Sequence, residues 1–252
     1  MKTLVYMLSF LNPDYIDLLK LCIRSIALYG SLSPDTEVVV FTSPEFVADI
    51  ENVVSKSCMS FKIKVIDNIQ TTNDIMAVKF RLFHEIDCST YERILYLDTD
   101  VLCGNSLAPL LALPIEDKLY VVQEGELGQR WWCESGFFDF NIVDPKTPAM
   151  NAGIMLFKPS TTIQTLFDLV YADTKSQRIP NAFLDQSYLM YHAYTMQCYD
   201  NTLVNPYIRL GFQKDEQTSL HHFIGPYVGG GGEKREIMND VFYNQLGKTD
   251  KV

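Results

Sequence analysis

An apolar run, Ile94-Leu95-Tyr96-Leu97, ends abruptly in Asp98-Thr99-Asp100. Two carboxylates one residue apart repel each other unless a cation lies between them or one stays protonated. Hard oxygen ligands of this kind suit Mn2+ or Mg2+, ions that commonly bridge to the oxygens of a diphosphate. Ligands of open α/β sheets bind beyond the carboxyl ends of strands, which is where this pair stands. An Asp-rich turn after a strand is the plainer alternative; the buried character of the preceding run favours the metal pair.

The elements around that tripeptide must position it. Thr3 to Leu8 is a continuous apolar run, as expected of a strand covered on both faces. Asp14 to Tyr29 places Leu18, Leu19, Cys22, Ile23, Ile26 and Ala27 at helical spacing, and Gly30 ends it. Glu37 to Thr42 is a second strand, Ser43-Pro44 opens a short helix, and Phe61 to Ile66 is a third strand. Asp74 to Ile86 reads as a helix and Arg93 to Leu97 as the fourth strand. Strands separated by helical segments predict an α/β fold with a mostly parallel central sheet flanked by helices. Farther on, Lys118 to Gln123, Ala152 to Phe157 and His221 to Ile224 read as strands. Thr161 to Thr174, Ala182 to Tyr194 and the residues after Gly229-Gly230-Gly231-Gly232 read as helices. With no internal repeat, the 252 residues are expected to form a single domain.

Composition excludes several function classes. The chain has 31 acidic against 21 basic residues, a net charge of −10, so no nucleic-acid partner is expected, since polyphosphates demand a basic stripe. No stretch reaches the ~18–20 continuous apolar residues of a transmembrane span. Met1 to Leu8 is too short for a secretory apolar region and reads as a strand, so a cytoplasmic localisation is expected. Cys22, Cys58, Cys88, Cys103, Cys133 and Cys198 are scattered without a CxxC, with Cys103 just after a strand, and are read as reduced structural thiols.

The strand followed by Asp98-Thr99-Asp100 also resembles the metal-binding motif of nucleotide-sugar glycosyltransferases with the GT-A fold. More of the chain is similar to glycosyltransferase family 8, the glycogenin-like and galactosyltransferase-like retaining enzymes. Asn151-Ala152-Gly153, leading into Ile154 to Phe157, resembles the family's Asn-x-Gly strand segment, and Leu184-Asp185-Gln186 its Asp-Gln pair. His222-Phe223-Ile224-Gly225 resembles its late His-x-x-Gly segment, and Asn12 with Tyr15 its Asn-x-x-Tyr at the uracil pocket. Lys79 resembles a basic residue that reaches the donor. The matches follow family order over residues 3–228.

The resemblance implies a single GT-A domain over 1–252. Within it, 1–103 would be a nucleotide-binding half, 104–228 a sugar and acceptor half, and 229–252 a Gly-rich loop and helix. It implies a metal-dependent retaining enzyme that moves a hexose from a UDP-sugar to a hydroxyl of a saccharide or protein acceptor. Asp98, Asp100 and His222 would ligate Mn2+ or Mg2+, which would neutralise the diphosphate leaving group. His221 would alternate to the opposite face and be structural. Asn12 and Tyr15 would hold uracil, Thr99 would pack near the ribose, and Lys79, Gly153 and Gly225 would serve the donor. Asn151 and Asp185 would bond the hydroxyls of the transferred sugar, and Gln186 would lie near its anomeric carbon. A carboxylate such as Asp185 there stabilises an oxocarbenium-like centre.

Two features depart from the family pattern. Val228 stands where relatives carry a lysine that holds the diphosphate; Lys234 or Arg235, or backbone N–H groups of Gly229 to Gly232, are the candidate substitutes, against a disordered loop. Glycines that precede the Asp-Gln pair in many relatives are absent here. The segment Gly128 to Phe140, with Trp131, Trp132, Phe137, Phe138 and Phe140, suits an acceptor platform, a loop packed on the sheet, or a membrane-surface anchor. Two other function classes remain open at this point. One is a haloacid dehalogenase-type phosphatase with Asp98 as nucleophile and Asp100 as acid-base; the other is a non-catalytic nucleotide-sugar-binding descendant. The 14 tyrosines leave self-glycosylation open, and a homodimer is equally open.

Overall fold

A computed structural model describes residues 2–55, 59–129, 136–177, 184–224 and 231–246. In chain order the first elements are β1 (Thr3–Ser9), α1 (Pro13–Tyr29), β2 (Thr36–Thr42), α2 (Val47–Val54), β3 (Phe61–Val65), α3 (Thr72–Val78) and α4 (Leu82–Glu85). β4 (Arg93–Leu97), β5 (Val101–Cys103), α5 (Ala108–Leu111), β6 (Leu119–Glu126) and β7 (Pro148–Phe157) follow. The chain continues with α6 (Thr161–Ser176), α7 (Leu184–Met196), β8 (Tyr199–Asp200), β9 (Ile208–Leu210) and β10 (Leu220–His222). Last come α8 (Gly231–Asp240) and a π-helical turn, Val241–Leu246. The fold is α/β with a mixed, mostly parallel central sheet in the order β3-β2-β1-β4-β7-β6-β8, flanked by helices; β5, β10 and β9 form a small second sheet. The chain divides into two compact units, each drawn from discontinuous segments. One holds Lys2–Ile69, Tyr96–Pro114 and the chain from Pro206; the other holds Gln70–Leu95 and Ile115–Asn205.

In the first unit β1, β2 and β3 pair in parallel, with Thr3 opposite Thr36 and Val38 opposite Phe61. β1 is buried throughout, which is why its sequence is unbroken by polar alternation. β3 lies at the sheet edge, where the charges of Lys62 and Lys64 discourage pairing with another chain. α1 begins where Asn12 Oδ1 accepts from the Asp14 N–H at 2.9 Å, with Pro13 in the first turn. Its buried face matches the expected one except at Ala27, which is exposed. Ser25 is buried instead: its hydroxyl donates to Cys22 O (2.7 Å) and accepts from Cys103 N (2.8 Å), tying α1 to β5. β5 is an element the sequence did not announce, so Cys103 lies within a strand rather than after one. It runs antiparallel to β10, with Val101 opposite His222 and Leu102 opposite His221. The chain end closes this unit: Met238, Val241, Phe242 and Leu246 pack with Leu18, Leu21, Leu102 and Phe223.

In the second unit β7 pairs antiparallel and β8 parallel with β6. Asp74 to Ile86 was expected as one helix. It forms α3, a 3-10 turn over Lys79–Arg81, and the single turn α4. Ala77, Val78, Lys79 and Phe80 are all buried; a straight amphipathic helix inserts only one face, and tightening the turn lets four successive side chains turn inward. α3 also starts two residues earlier than expected. Thr71 and Asp74 form a reciprocal capping box there. Phe80, Phe157 and Phe167 stack edge-on at 5.1–5.2 Å as the core beside this turn.

Candidate active site

In the first unit, the end of β4 and the start of β5 bracket the Asp98-Thr99-Asp100 turn. Tyr96, fully buried against the Tyr6 ring at 4.8 Å, donates its hydroxyl to Asp98 Oδ1. The Phe223 N–H donates to Asp100 O at 3.0 Å, so β10 is stitched to the turn and brings His222 with it. His222 Nε2 lies 3.0 Å from Asp100 Oδ1 and 3.8 Å from Asp98 Oδ2. One ligand atom from each of the three residues falls within 4.8 Å of the others. Thr99 is buried between the two aspartates.

The electrostatics of this cluster suit a cation. Burial opposes charge on Asp100, but the neighbouring His222 and Lys234 outweigh it and hold the carboxyl well below the usual carboxylate range. Burial likewise opposes charge on His222, and the carboxylates of Asp100 and Asp98 outweigh it, raising the imidazole above its ordinary value. Asp100 Oδ1 is buried and accepts no well-aligned hydrogen bond. Two hard carboxylates and one imidazole make a donor set that fits Mn2+ and, through its oxygens, Mg2+. His221, as expected, faces the other way. It stacks on Phe212 at 4.9 Å, and burial pushes its ring below the ordinary imidazole value. A Cβ at position 104 would come within 2.9 Å of His221 Nε2, so any side chain larger than glycine's requires the His221 ring to shift.

Lys234 settles on the same cluster. Its Nζ donates to Asp100 Oδ2 at 2.6 Å, whereas Arg235 Nη1 reaches Asp17 Oδ2 at 2.9 Å. Gly231 and Gly232 begin α8 rather than a loop. Gly225, Val228, Gly229, Gly230, Trp131, Trp132, Cys58 and Cys133 lie outside the described residues. Of the remaining candidates of this unit, the Asn12 side-chain oxygen is occupied as the α1 cap, and Tyr15 stands exposed in the first turn.

The second unit carries its own polar cluster. Lys79, in the 3-10 turn, pairs with Asp185 near the start of α7 at 2.8 Å, and both side chains are about one-twentieth exposed, at 4% and 5%. The same Nζ lies 3.4 Å from Ala152 O. Asn151 Oδ1 accepts from the Gly153 N–H (2.8 Å) and Gln186 Oε1 from the Ala152 N–H (2.9 Å). Both amides then donate, each at 3.0 Å, to one oxygen of Glu124. Asn151, Gly153, Asp185, Gln186 and Lys79 are thus brought together, around a carboxylate that the sequence reading missed. The β6–β7 register explains the missing signal. It jumps between Val121/Met155 and Gln123/Met150, where β7 carries three extra residues, and again before Glu126/Pro148, where β6 carries one. The first irregularity frees Asn151 to Gly153 from the ladder, and the second frees the Glu124-Gly125 step, where Gly125 adopts φ +66°. Of the aromatic segment, Phe137 packs on Tyr188 (5.1 Å) and Phe138 on Tyr194 (5.5 Å), as in a loop packed on the fold.

Among the described residues, Cys22, Cys88, Cys103 and Cys198 are free and buried, and burial pushes the Cys88 thiol up to about 12. No described helix is long and apolar enough to cross a membrane.

The profile of glycosyl transferase family 8 matches residues 11–227, and the chain belongs to that family. A search of curated protein sequences found no match. Among solved structures, the chain is similar to mouse xyloside xylosyltransferase 1 in its apo form, at 11% identity and a TM-score of 0.61, covering 88% of this chain and 97% of that one. It is similar to the galactosyltransferase LgtC in complex with donor and acceptor sugar analogues, at 14% identity and a TM-score of 0.62, covering 94% and 95%. The glycosyltransferase GlyE of Streptococcus pneumoniae TIGR4 matches at 15% identity and a TM-score of 0.58, covering 98% of this chain and 62% of that one. These likenesses show the GT-A-like fold.

Proposed function

We propose that this glycosyl transferase family 8 enzyme moves a hexose, with retention, from a UDP-sugar to a hydroxyl acceptor, and that Asp98, Asp100 and His222 hold Mn2+ or Mg2+ for it. The observation that supports this most is the convergence of those three side chains in a chain of this family. When bound, the ion supplies Lewis-acid charge to the diphosphate leaving group. The protein's part is orientation. Tyr96 fixes the Asp98 carboxylate, and the β10–β5 pairing fixes His222 opposite the residue after Asp100. Asn12 and Tyr15 are assigned to uracil, Thr99 to the ribose side, and Gly225 to the donor.

The second cluster is assigned to the transferred sugar. Lys79 pairs with the Asp185 carboxylate in a buried place, where that carboxylate can face a positive anomeric centre. Glu124 orients the amides of Asn151 and Gln186 toward their tasks. A saccharide acceptor is favoured because LgtC, a similar structure, holds donor and acceptor sugar analogues. The setting is proposed to be cytoplasmic. The phosphatase alternative falls with the family assignment.

The test is UDP release from a panel of UDP-sugars with Mn2+, with and without an acceptor mixture. We expect release for at least one donor, and a fall of about 100-fold or more in Asp100→Ala, since a group stabilising the leaving charge is lost. Release that Asp100→Ala leaves untouched would sink the reading. Donor binding with no turnover in any mixture would favour the non-catalytic descendant.

A further inference from the structure

Lys234 has an unusual position for a residue outside every family motif. Its ammonium makes a short charge-assisted contact, 2.6 Å, with the very carboxylate that Asp100 offers as a ligand, and its side chain is only 18% exposed. Two carboxylates lie one residue apart at this turn, and the ammonium offsets part of their negative charge by direct contact with Asp100. The helix is also anchored by contacts other than this one. One turn after Lys234, Met238 enters the core with Val241, Phe242 and Leu246, against Leu18, Leu21 and Phe223. The next residue, Arg235, clamps the same turn to Asp17 on α1. The backbone of α8 is therefore seated independently, while the Lys234 ammonium rides on a flexible four-carbon stem. A divalent ion on Asp100 and an ammonium on the same carboxylate repel each other strongly.

We propose that Lys234 is an exchangeable internal cation. It neutralises Asp100 in the metal-free protein, leaves Asp100 when the divalent ion binds, and then serves the diphosphate in the role that Val228 leaves unfilled. This rests on the reading of Asp98, Asp100 and His222 as metal ligands. A helix late in the chain thus supplies a positive charge directly beside the residues assigned to the metal. It also makes metal affinity and donor affinity interdependent through one side chain.

The experiment compares the full chain with Lys234→Gln, Lys234→Arg and Arg235→Gln. Mn2+ affinity is read without nucleotide, from the electron paramagnetic resonance signal of free Mn2+; UDP affinity is read by calorimetry at saturating Mn2+. Removing the resident cation should raise Mn2+ affinity roughly tenfold and lower UDP affinity roughly tenfold in Lys234→Gln. Lys234→Arg, which keeps the charge, should not gain Mn2+ affinity, and Arg235→Gln should match the parent in both measurements. Mn2+ affinity equal across the set, or higher in Lys234→Arg as well, overturns the exchange while leaving the metal site standing. UDP affinity unchanged in Lys234→Gln overturns the diphosphate role. Absence of Mn2+ binding in every protein overturns the metal reading and this inference together.

Discussion

Glu124 is where residue-scale chemistry in the second unit converges. One of its oxygens accepts from both Asn151 and Gln186, whose own oxygens hold the Gly153 and Ala152 N–H groups. Glu124→Ala removes the shared acceptor, so both amides lose their orientation while their backbone contacts remain. A small misplacement of groups facing a reacting centre costs about 100-fold, and we expect that loss in kcat with Mn2+ affinity unchanged, read by steady-state kinetics and a Mn2+ titration. Glu124→Gln keeps an acceptor oxygen and should lose less. None of this was legible at residue 124 itself. A lone glutamate in a strand carries no motif, whereas Asp98, Asp100, Asn151, Asp185, Gln186 and His222 stood in short recognisable strings.

At the scale of elements, legibility followed length and period. α1 and α6 could be read because an apolar stripe repeats over four or more turns. β5 and β9 have three residues each and β8 two, too few to show a period, whereas β10, Leu220–His222, overlaps the apolar run His221 to Ile224 that reads as a strand. The α3 start was readable in principle from Thr71 and Asp74, and it carries a stability prediction. Lys175 and the cap contacts outweigh burial and hold the Asp74 carboxyl well below the usual carboxylate range. A group whose folded pKa is depressed stabilises the fold above its unfolded pKa, and the contribution fades as pH falls through the folded value. Asp74→Asn should therefore cost about 1 kcal/mol near neutral pH, the scale of a lost cap. The gap to the parent should shrink as the pH drops below about 4. Urea unfolding at both ends of that range checks it.

For the whole molecule, the charge of −10 acquires a mechanism. A protein of this sign repels a diphosphate at long range and gathers cations instead. Two of its carboxylates, Asp98 and Asp100, stand where the phosphates are proposed to go, offset in part by Lys234. Donor binding should consequently collapse on chelation with EDTA and return on adding Mn2+, measured by UDP titration calorimetry. Binding that survives EDTA would detach the donor from the triad. The division into two units built from interleaved segments has no counterpart in the linear halves suggested by motif order. Compactness is decided by contacts, and β4 runs across the division, with Arg93 to Leu95 in one unit and Tyr96 and Leu97 in the other.

The sequence by itself determined the α/β class, the family, the buried runs of β1, β4 and β7, and the three residues, Asp98, Asp100 and His222, that the structure brings together. Each of these is written in a local string: a hydrophobic period, a strand that ends in carboxylates, or a short motif in family order. Only the tertiary structure decided what those strings touch. It chose Lys234 over Arg235 for Asp100, buried Lys79 on Asp185, set Tyr96 against Asp98, and broke the β6–β7 ladder so that Glu124 meets Asn151 and Gln186. Those partners lie up to 134 residues apart, and ionic and hydrogen-bond pairing at such separation depends on packing and register, which no local pattern encodes.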